Sequence, residues 1–176
     1  MKTLLTLLFA FITTLSIAQS KTFKATPAQT TALKVQAEAC ADAMMKQNYK
    51  QMAYYTYPPI VKMMGGAEQM EKQITKTMGQ MQANGVTFKS VTIGEIKEVT
   101  QSKGDLYSIV QDILQLSMNG TVITRSSYLL AYSHDNGKRW YFVDTAPMKN
   151  QNMKKMFPTY PPGFVIPQAG NPVMGN

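Results

Sequence analysis

Few residues of this chain are equipped for chemistry, and their spacing narrows what they can do. Three carboxylates fall well inside segments that read as strands: Glu95, Asp112 and Asp144. Asp112 lies on the longest of them. A carboxylate taken out of water there without a partner is costly, so burial would single it out. The plainer reading is a bulge, or a solvent-facing position beside basic side chains. Tyr49, Tyr54, Tyr55 and Tyr57 crowd one short stretch. Each offers an apolar body and a polar tip, which suits a helix–sheet seam. Tyr54, Tyr55 and Tyr57 also suit the wall of a pocket for a small apolar ligand.

The remaining reactive types are scarce. His134 is the only histidine and Cys40 the only cysteine, too few donors for a conventional zinc site and no pair for an internal disulfide. His134 falls in a turn and reads as a solvated side chain. Cys40 falls on an apolar helical stripe and reads as a buried, inert thiol. Methionine, by contrast, is abundant, with 14 in all. Met44-Met45, Met63-Met64 and the Met78/Met81 pair bring copper(I) to mind, because thioethers are soft ligands. Yet Met70, Ile74, Met78 and Met81 share one helical face with an aliphatic residue, the pattern of a core. Met78 and Met81 then become candidates for the deformable wall of an apolar cavity. Gly65-Gly66 precedes a helix, where free amides attract anions, but a plain helix start is the simpler account. No metal and no cofactor is implied.

These residues need elements to position them. Thr26-Pro27-Ala28-Gln29 is a capping box with proline at the first helical position. Leu33, Ala37, Cys40 and Met44 follow on one face of a helix that ends near Asn48. A short helix ends at Tyr57-Pro58-Pro59, another turn or two runs to Met64, and a long helix runs from Ala67 to Asn84-Gly85. The texture then becomes extended. Val86–Val99 alternates, with a bulge at Gly94, and Gln101–Gly104 turns. Leu106–Met118 forms a long strand, bulged near Asp112. Asn119-Gly120 is the strongest hairpin signal, Thr121–Ser133 returns, and Arg139–Asp144 is the last strand. Met148–Phe157 reads as a short helix. Five prolines then mark an extended tail in which Tyr160, Phe164, Val165 and Ile166 pack along the domain and the last residues are loose.

The N-terminus reads as an address. Lys2, the apolar run Leu4–Ile12, and small Ser16 and Ala18 before Gln19 make a secretory signal peptide. Residues 1–18 are therefore expected to be cleaved between Ala18 and Gln19, and the protein to be secreted or periplasmic. Residues 19–148 form one α+β domain, and 149–176 the short helix and proline-rich tail. The formal net charge of +8, less Lys2 with the leader, is spread over scattered lysines. A solvated basic surface follows rather than a nucleic-acid patch, and no other stretch is apolar enough to span a membrane.

Helices before strands give an α+β class. The order of the helix from Pro27, the Tyr57-Pro58-Pro59 turn, the helix from Ala67 and four strands from Val86 to Asp144 resembles the NTF2-like (cystatin-like, cone-shaped) superfamily. The resemblance covers about 120 residues and rests on element order alone. It implies N-terminal helices on the concave face of a curved four-stranded antiparallel sheet, a cavity between them, and a homodimer through the sheet's outer face. The superfamily holds enzymes and non-catalytic binders, so fold does not decide function. Members resembling ketosteroid isomerase use a carboxylate base with a tyrosine donor, which puts Asp112 forward with a pocket tyrosine. Three expectations stand. One is non-catalytic binding of a small apolar ligand or an exported protein partner. Another is an isomerase or lyase built on Asp112. The last is a dimeric interaction module with a filled cavity. A second, local resemblance is to the Asp-box hairpin of sialidase-type propellers, in Ser133-His134-Asp135-Asn136-Gly137-Lys138-Arg139-Trp140. Propellers carry several copies. The single copy here reads as a stabilised turn in which Asp135 binds turn amides, Gly137 takes positive φ and Trp140 packs beneath.

Overall fold

The computed structural model of the protein describes residues 23–146 and 150–175. The expected leader and its cleavage site lie outside them. Helix α1, Pro27–Met45, starts as its capping box dictates: the Gln29 amide donates to Thr26 Oγ1 (3.3 Å) and the Thr26 amide to Gln29 Oε1 (2.8 Å). Its buried residues Gln29, Leu33, Ala37 and Ala41 recur every fourth position, and the small alanines let the helix lie close on the sheet. Helices α2 (Tyr49–Tyr55) and α3 (Pro58–Met63) follow, with α2 capped by Asn48 and α3 opened by its two prolines. Helix α4, Ala67–Ala83, closes on Asn84 and Gly85, whose φ of 77° supplies the left-handed exit. Among the described residues no helix is long and apolar enough to cross a membrane.

The sheet is antiparallel and curved, with six strands rather than the expected four. Strand β3, Asp105–Met118, and β4, Thr121–Ser133, pair residue for residue from Leu106–Ser133 to Met118–Thr121 across the Asn119-Gly120 turn. Both turn residues have positive φ, 50° and 87°, as a two-residue hairpin matched to strand twist requires. Strand β1, Val86–Ile96, lies along one edge of β3, and β2, Thr100–Ser102, continues that edge beside Leu106 and Tyr107. On the other side β5, Tyr141–Asp144, pairs with Leu129–Tyr132 of β4, and β6, Val173–Gly175, with Val122–Thr124. Six strands thus occupy four columns. The two additions are short continuations where β1 and β5 stop early, and they satisfy backbone groups that β3 and β4 would otherwise leave open.

Two expectations are corrected in detail. The bulge near Asp112 belongs to the opposite strand: β3 runs unbroken against β4, while β1 shifts register between Ile93 and Ile96, around Gly94. The last described residues are not loose, because Val173–Gly175 pair with Val122–Thr124 of β4.

Alternation in β3 sends its side chains to two cores. Leu106 and Val110 face α1 and pack with Leu33, Ala37, Ala131, Trp140 and Phe142. Tyr107 and Ile109 face the other way and pack with Tyr57, Leu130, Val143, Met153, Phe157 and Ile166. The second face is therefore covered by α5, Asn150–Met156, and the proline-rich chain after it. Tyr160 and Phe164 join this layer as expected, whereas Val165 is exposed.

Candidate functional site

Side-chain hydrogen bonds converge in the turn joining β4 to β5. Ser133 Oγ donates to Asp135 Oδ1 (3.0 Å) and accepts from the Gly137 amide (3.0 Å), and the Arg139 amide donates to Asp135 Oδ1 (2.9 Å). Trp140 is fully buried, and its Nε1 donates to the Gly137 carbonyl (3.1 Å). Burial works against the Asp135 carboxylate, but the Arg139 and Lys138 amides and the Ser133 hydroxyl outweigh it and hold its pKa below the ordinary value. Arg139 and Trp140 are drawn into this turn, so β5 begins at Tyr141 rather than at Arg139. Ser133, Asp135, Gly137 and Trp140 thus converge as their spacing implies.

What the spacing did not reveal is how the turn docks on α1. Gln29 Nε2 donates to the carbonyl and to Oδ1 of Asn136 (3.0 and 2.9 Å). Gln36 Nε2 donates to the Lys138 carbonyl (2.9 Å), while its Oε1 accepts from the Trp140 amide (2.9 Å). Gln29 therefore caps its own helix and clamps the turn at once. His134 stays exposed, 4.0 Å from Asp105.

Asp112 sits on the α1-facing side of the sheet, half-buried, across from Ser127, whose hydroxyl donates to its Oδ1 (2.8 Å). No tyrosine hydroxyl donates to this carboxylate among the described residues. Burial raises its pKa, the Ser127 bond pulls it back, Asp144 adds to the rise and Arg125 opposes it. Burial also pushes the neighbouring Cys40 thiol up to about 11, with the Asp112 charge adding to the effect. A raised pKa disfavours the thiolate, the form that acts as nucleophile or metal ligand.

The aromatic and methionine candidates do not share one cavity. Tyr57 belongs to the outer-face core, stacked on Phe157 with ring centroids 4.3 Å apart. Tyr55 packs edge-on beside Tyr54 and toward Phe142 on the α1 side. Tyr54 is exposed and lies under the Arg139 guanidinium, 3.7 Å from its ring centre. Met78 lines a cleft of about 320 Å³ between α1, α4 and β1, together with Met44, Met45, Tyr49, Gly79 and Phe88. Met81 is half-buried beyond it. The cleft exists because the apolar face of α4 is only partly covered: of its stripe, Met70 is buried while Ile74 and Met78 stay half-open. Gln47, Thr75, Gln82 and Thr87 also line the cleft, and burial raises the Tyr49 pKa. Asp112 lines neither this cleft nor the one beside Tyr54.

A further polar network went unread in the sequence. Thr159 Oγ1 donates to Asp105 Oδ2 and shares a 2.5 Å hydrogen bond with the Tyr107 hydroxyl, while Tyr132 donates to the same carboxylate oxygen (3.1 Å). Burial raises the Tyr107 pKa to about 12. No linear signal pairs residues 54 apart. The network fastens the C-terminal segment to the sheet.

The fold and its site define an α+β protein with a two-faced antiparallel sheet and a methionine-lined cleft between α1, α4 and β1. No protein-family model, curated protein or solved structure matches the chain. Among the described residues, no group of three or more His, Cys, Asp or Glu side chains comes together to hold a metal ion.

Proposed function

We propose that this is an exported NTF2-like domain that binds a small apolar ligand, without chemistry, in the cleft between α1, α4 and β1. The carrying observation is the character of that lining. Met44, Met45, Met78 and Phe88 supply deformable and flat apolar surface, and the polar groups between them are neutral amides, hydroxyls and a phenol. Its volume of about 320 Å³ is at the small end of ligand pockets. No carboxylate, imidazole, thiol or ammonium lines it, so the cleft has shape and hydrogen bonds to offer but no strong acid or base.

The competing enzyme reading has the burial-raised Asp112 in its favour, but the hydroxyl beside that carboxylate is that of Ser127. A homodimer through the outer face of the sheet gains little support. One half of that face is covered by the chain's own C-terminal segment. The other half carries Gln111 and Gln115, bonded to Ser126 and Ser90.

Titration with the neutral dye Nile red tests the proposal. Met78→Trp fills the cleft and is expected to weaken dye binding at least about tenfold, while Asp112→Asn leaves it unchanged. Undiminished binding by a folded Met78→Trp protein refutes the assignment. Native mass spectrometry of protein purified from its host's exported fraction then identifies the natural ligand.

A further inference from the structure

The second cleft, of about 520 Å³, lies between the α2–α3 corner, the Gly65-Gly66 turn and the start of β5. Tyr54, Tyr141, Lys62 and Arg139 are among its walls. Arg139 is held there with unusual care. Its backbone amide is tied to Asp135 (2.9 Å), and its Nη2 donates to the Tyr54 carbonyl (3.0 Å). Its guanidinium carbon stands 3.7 Å above the Tyr54 ring and 5.0 Å from the centre of Tyr141. Its Nε is closed off from solvent and has no acceptor among the described residues.

The charges here are not compensated from within. Among the described residues neither Arg139 nor Lys62 forms an ion pair. The nearby start of α4 adds positive potential, because Gly66 provides no side-chain cap. Glu68, in the first turn of α4, is engaged by Lys72 at 2.8 Å. A planar guanidinium fixed in advance loses little freedom when it takes a carboxylate, and Lys62 adds a second point charge. Beside the guanidinium, Tyr54 and Tyr141 contribute aromatic surface to the cleft.

We infer that this cleft binds a carboxylate carried on a flat, ring-bearing body: the acid on Arg139 and Lys62, the ring against Tyr54 and Tyr141. The site is separate from the methionine-lined cleft and stands or falls independently of it.

The test is isothermal titration with 2-naphthoate and with its neutral amide, 2-naphthamide. The carboxylate is expected to bind at least about tenfold more tightly than the amide, and its affinity to fall as salt is raised. Arg139→Lys keeps the charge but loses the guanidinium anchored on the Tyr54 carbonyl and ring, and is expected to weaken naphthoate at least about fivefold. Lys62→Gln is expected to weaken it severalfold with less effect on the fold. Met78→Trp leaves it unchanged. Trp140 fluorescence and thermal melts report whether the Arg139→Lys turn is intact. A phenylalanine-terminated tripeptide, free or amidated at its C-terminus, separates the sources. Binding of the free peptide identifies a chain terminus as the occupant, and binding of naphthoate alone identifies a small acid. Equal affinity for naphthoate and naphthamide overturns the inference, as does undiminished naphthoate binding by both folded variants.

Discussion

Gly137 offers the sharpest test of how the β4–β5 turn is held. Its φ of 79° belongs to the left-handed region, where a side chain costs about 1–2 kcal/mol. Space is short as well: a Cβ there would meet Gln29 Cγ at 2.7 Å, Gln29 Cβ at 3.1 Å and Leu106 Cδ1 at 3.3 Å. Relieving the overlap means displacing Gln29, the side chain that clamps Asn136 and caps α1. Overpacking of that kind costs about 1–3 kcal/mol. Gly137→Ala is therefore expected to lose about 2–5 kcal/mol, a large share of the 5–15 kcal/mol typical of a domain. At about 2–4 °C per kcal/mol for a chain of this size, the melting temperature falls by about 4–20 °C. Gly104→Ala is the control. Its φ of 92° carries similar strain, but a Cβ there meets nothing within 4 Å. Thermal and urea melts of the two variants, side by side, isolate the contact term. Equal losses would refute the docking of this turn onto α1.

Two further outcomes follow from buried polar groups. A pKa raised by folding contributes stability that is complete below the unfolded value and is lost as pH rises through the folded one. The ionised Asp112, whose pKa is raised chiefly by burial, therefore costs stability at neutral pH. Asp112→Asn is expected to melt higher than wild type at pH 7 and equally at about pH 3, below the ordinary carboxylate range; a lower melting point at pH 7 refutes this. Thr159→Val removes the hydroxyl that joins Asp105 to Tyr107. One charge-assisted and one neutral hydrogen bond are lost, about 2–4 kcal/mol together. Hydrogen exchange should rise in residues 157–166, and unchanged protection there would show that the network does not fasten the C-terminal segment.

Much of the architecture was legible because its signals are local. The capping box at Thr26 and Gln29, the Asn84-Gly85 stop, the Asn119-Gly120 hairpin and the Ser133–Trp140 turn each act within a few residues. Each is specified by residues close in sequence, so its pattern can be read without knowing the tertiary contacts around it. The helix-then-strand order followed, and with it the α+β class. Strand β2 was missed because three residues beside a tight turn carry no period of their own. Strand β6 was missed because its partner, Val122–Thr124, lies far back in the chain.

The sites divide in the same way. Sequence alone determined the composition of the candidates: one carboxylate on a long strand, a tyrosine cluster, a methionine-rich helix face, and a single thiol and imidazole. Which of them meet was decided by tertiary structure. Tyr54, Tyr55 and Tyr57 are neighbours in sequence, but the bend into α3 sends them to a surface cleft, to the α1 side and to the outer-face core. Asp112 met Ser127 because the β3–β4 register places them opposite each other. Met78 found Met44 and Phe88 because α4 leaves part of its apolar face uncovered above β1. Residue types and local turns are set by interactions a few bonds apart. Cavities and charge neighbours depend on how separate elements divide a limited apolar surface, a balance that no single stretch of sequence contains.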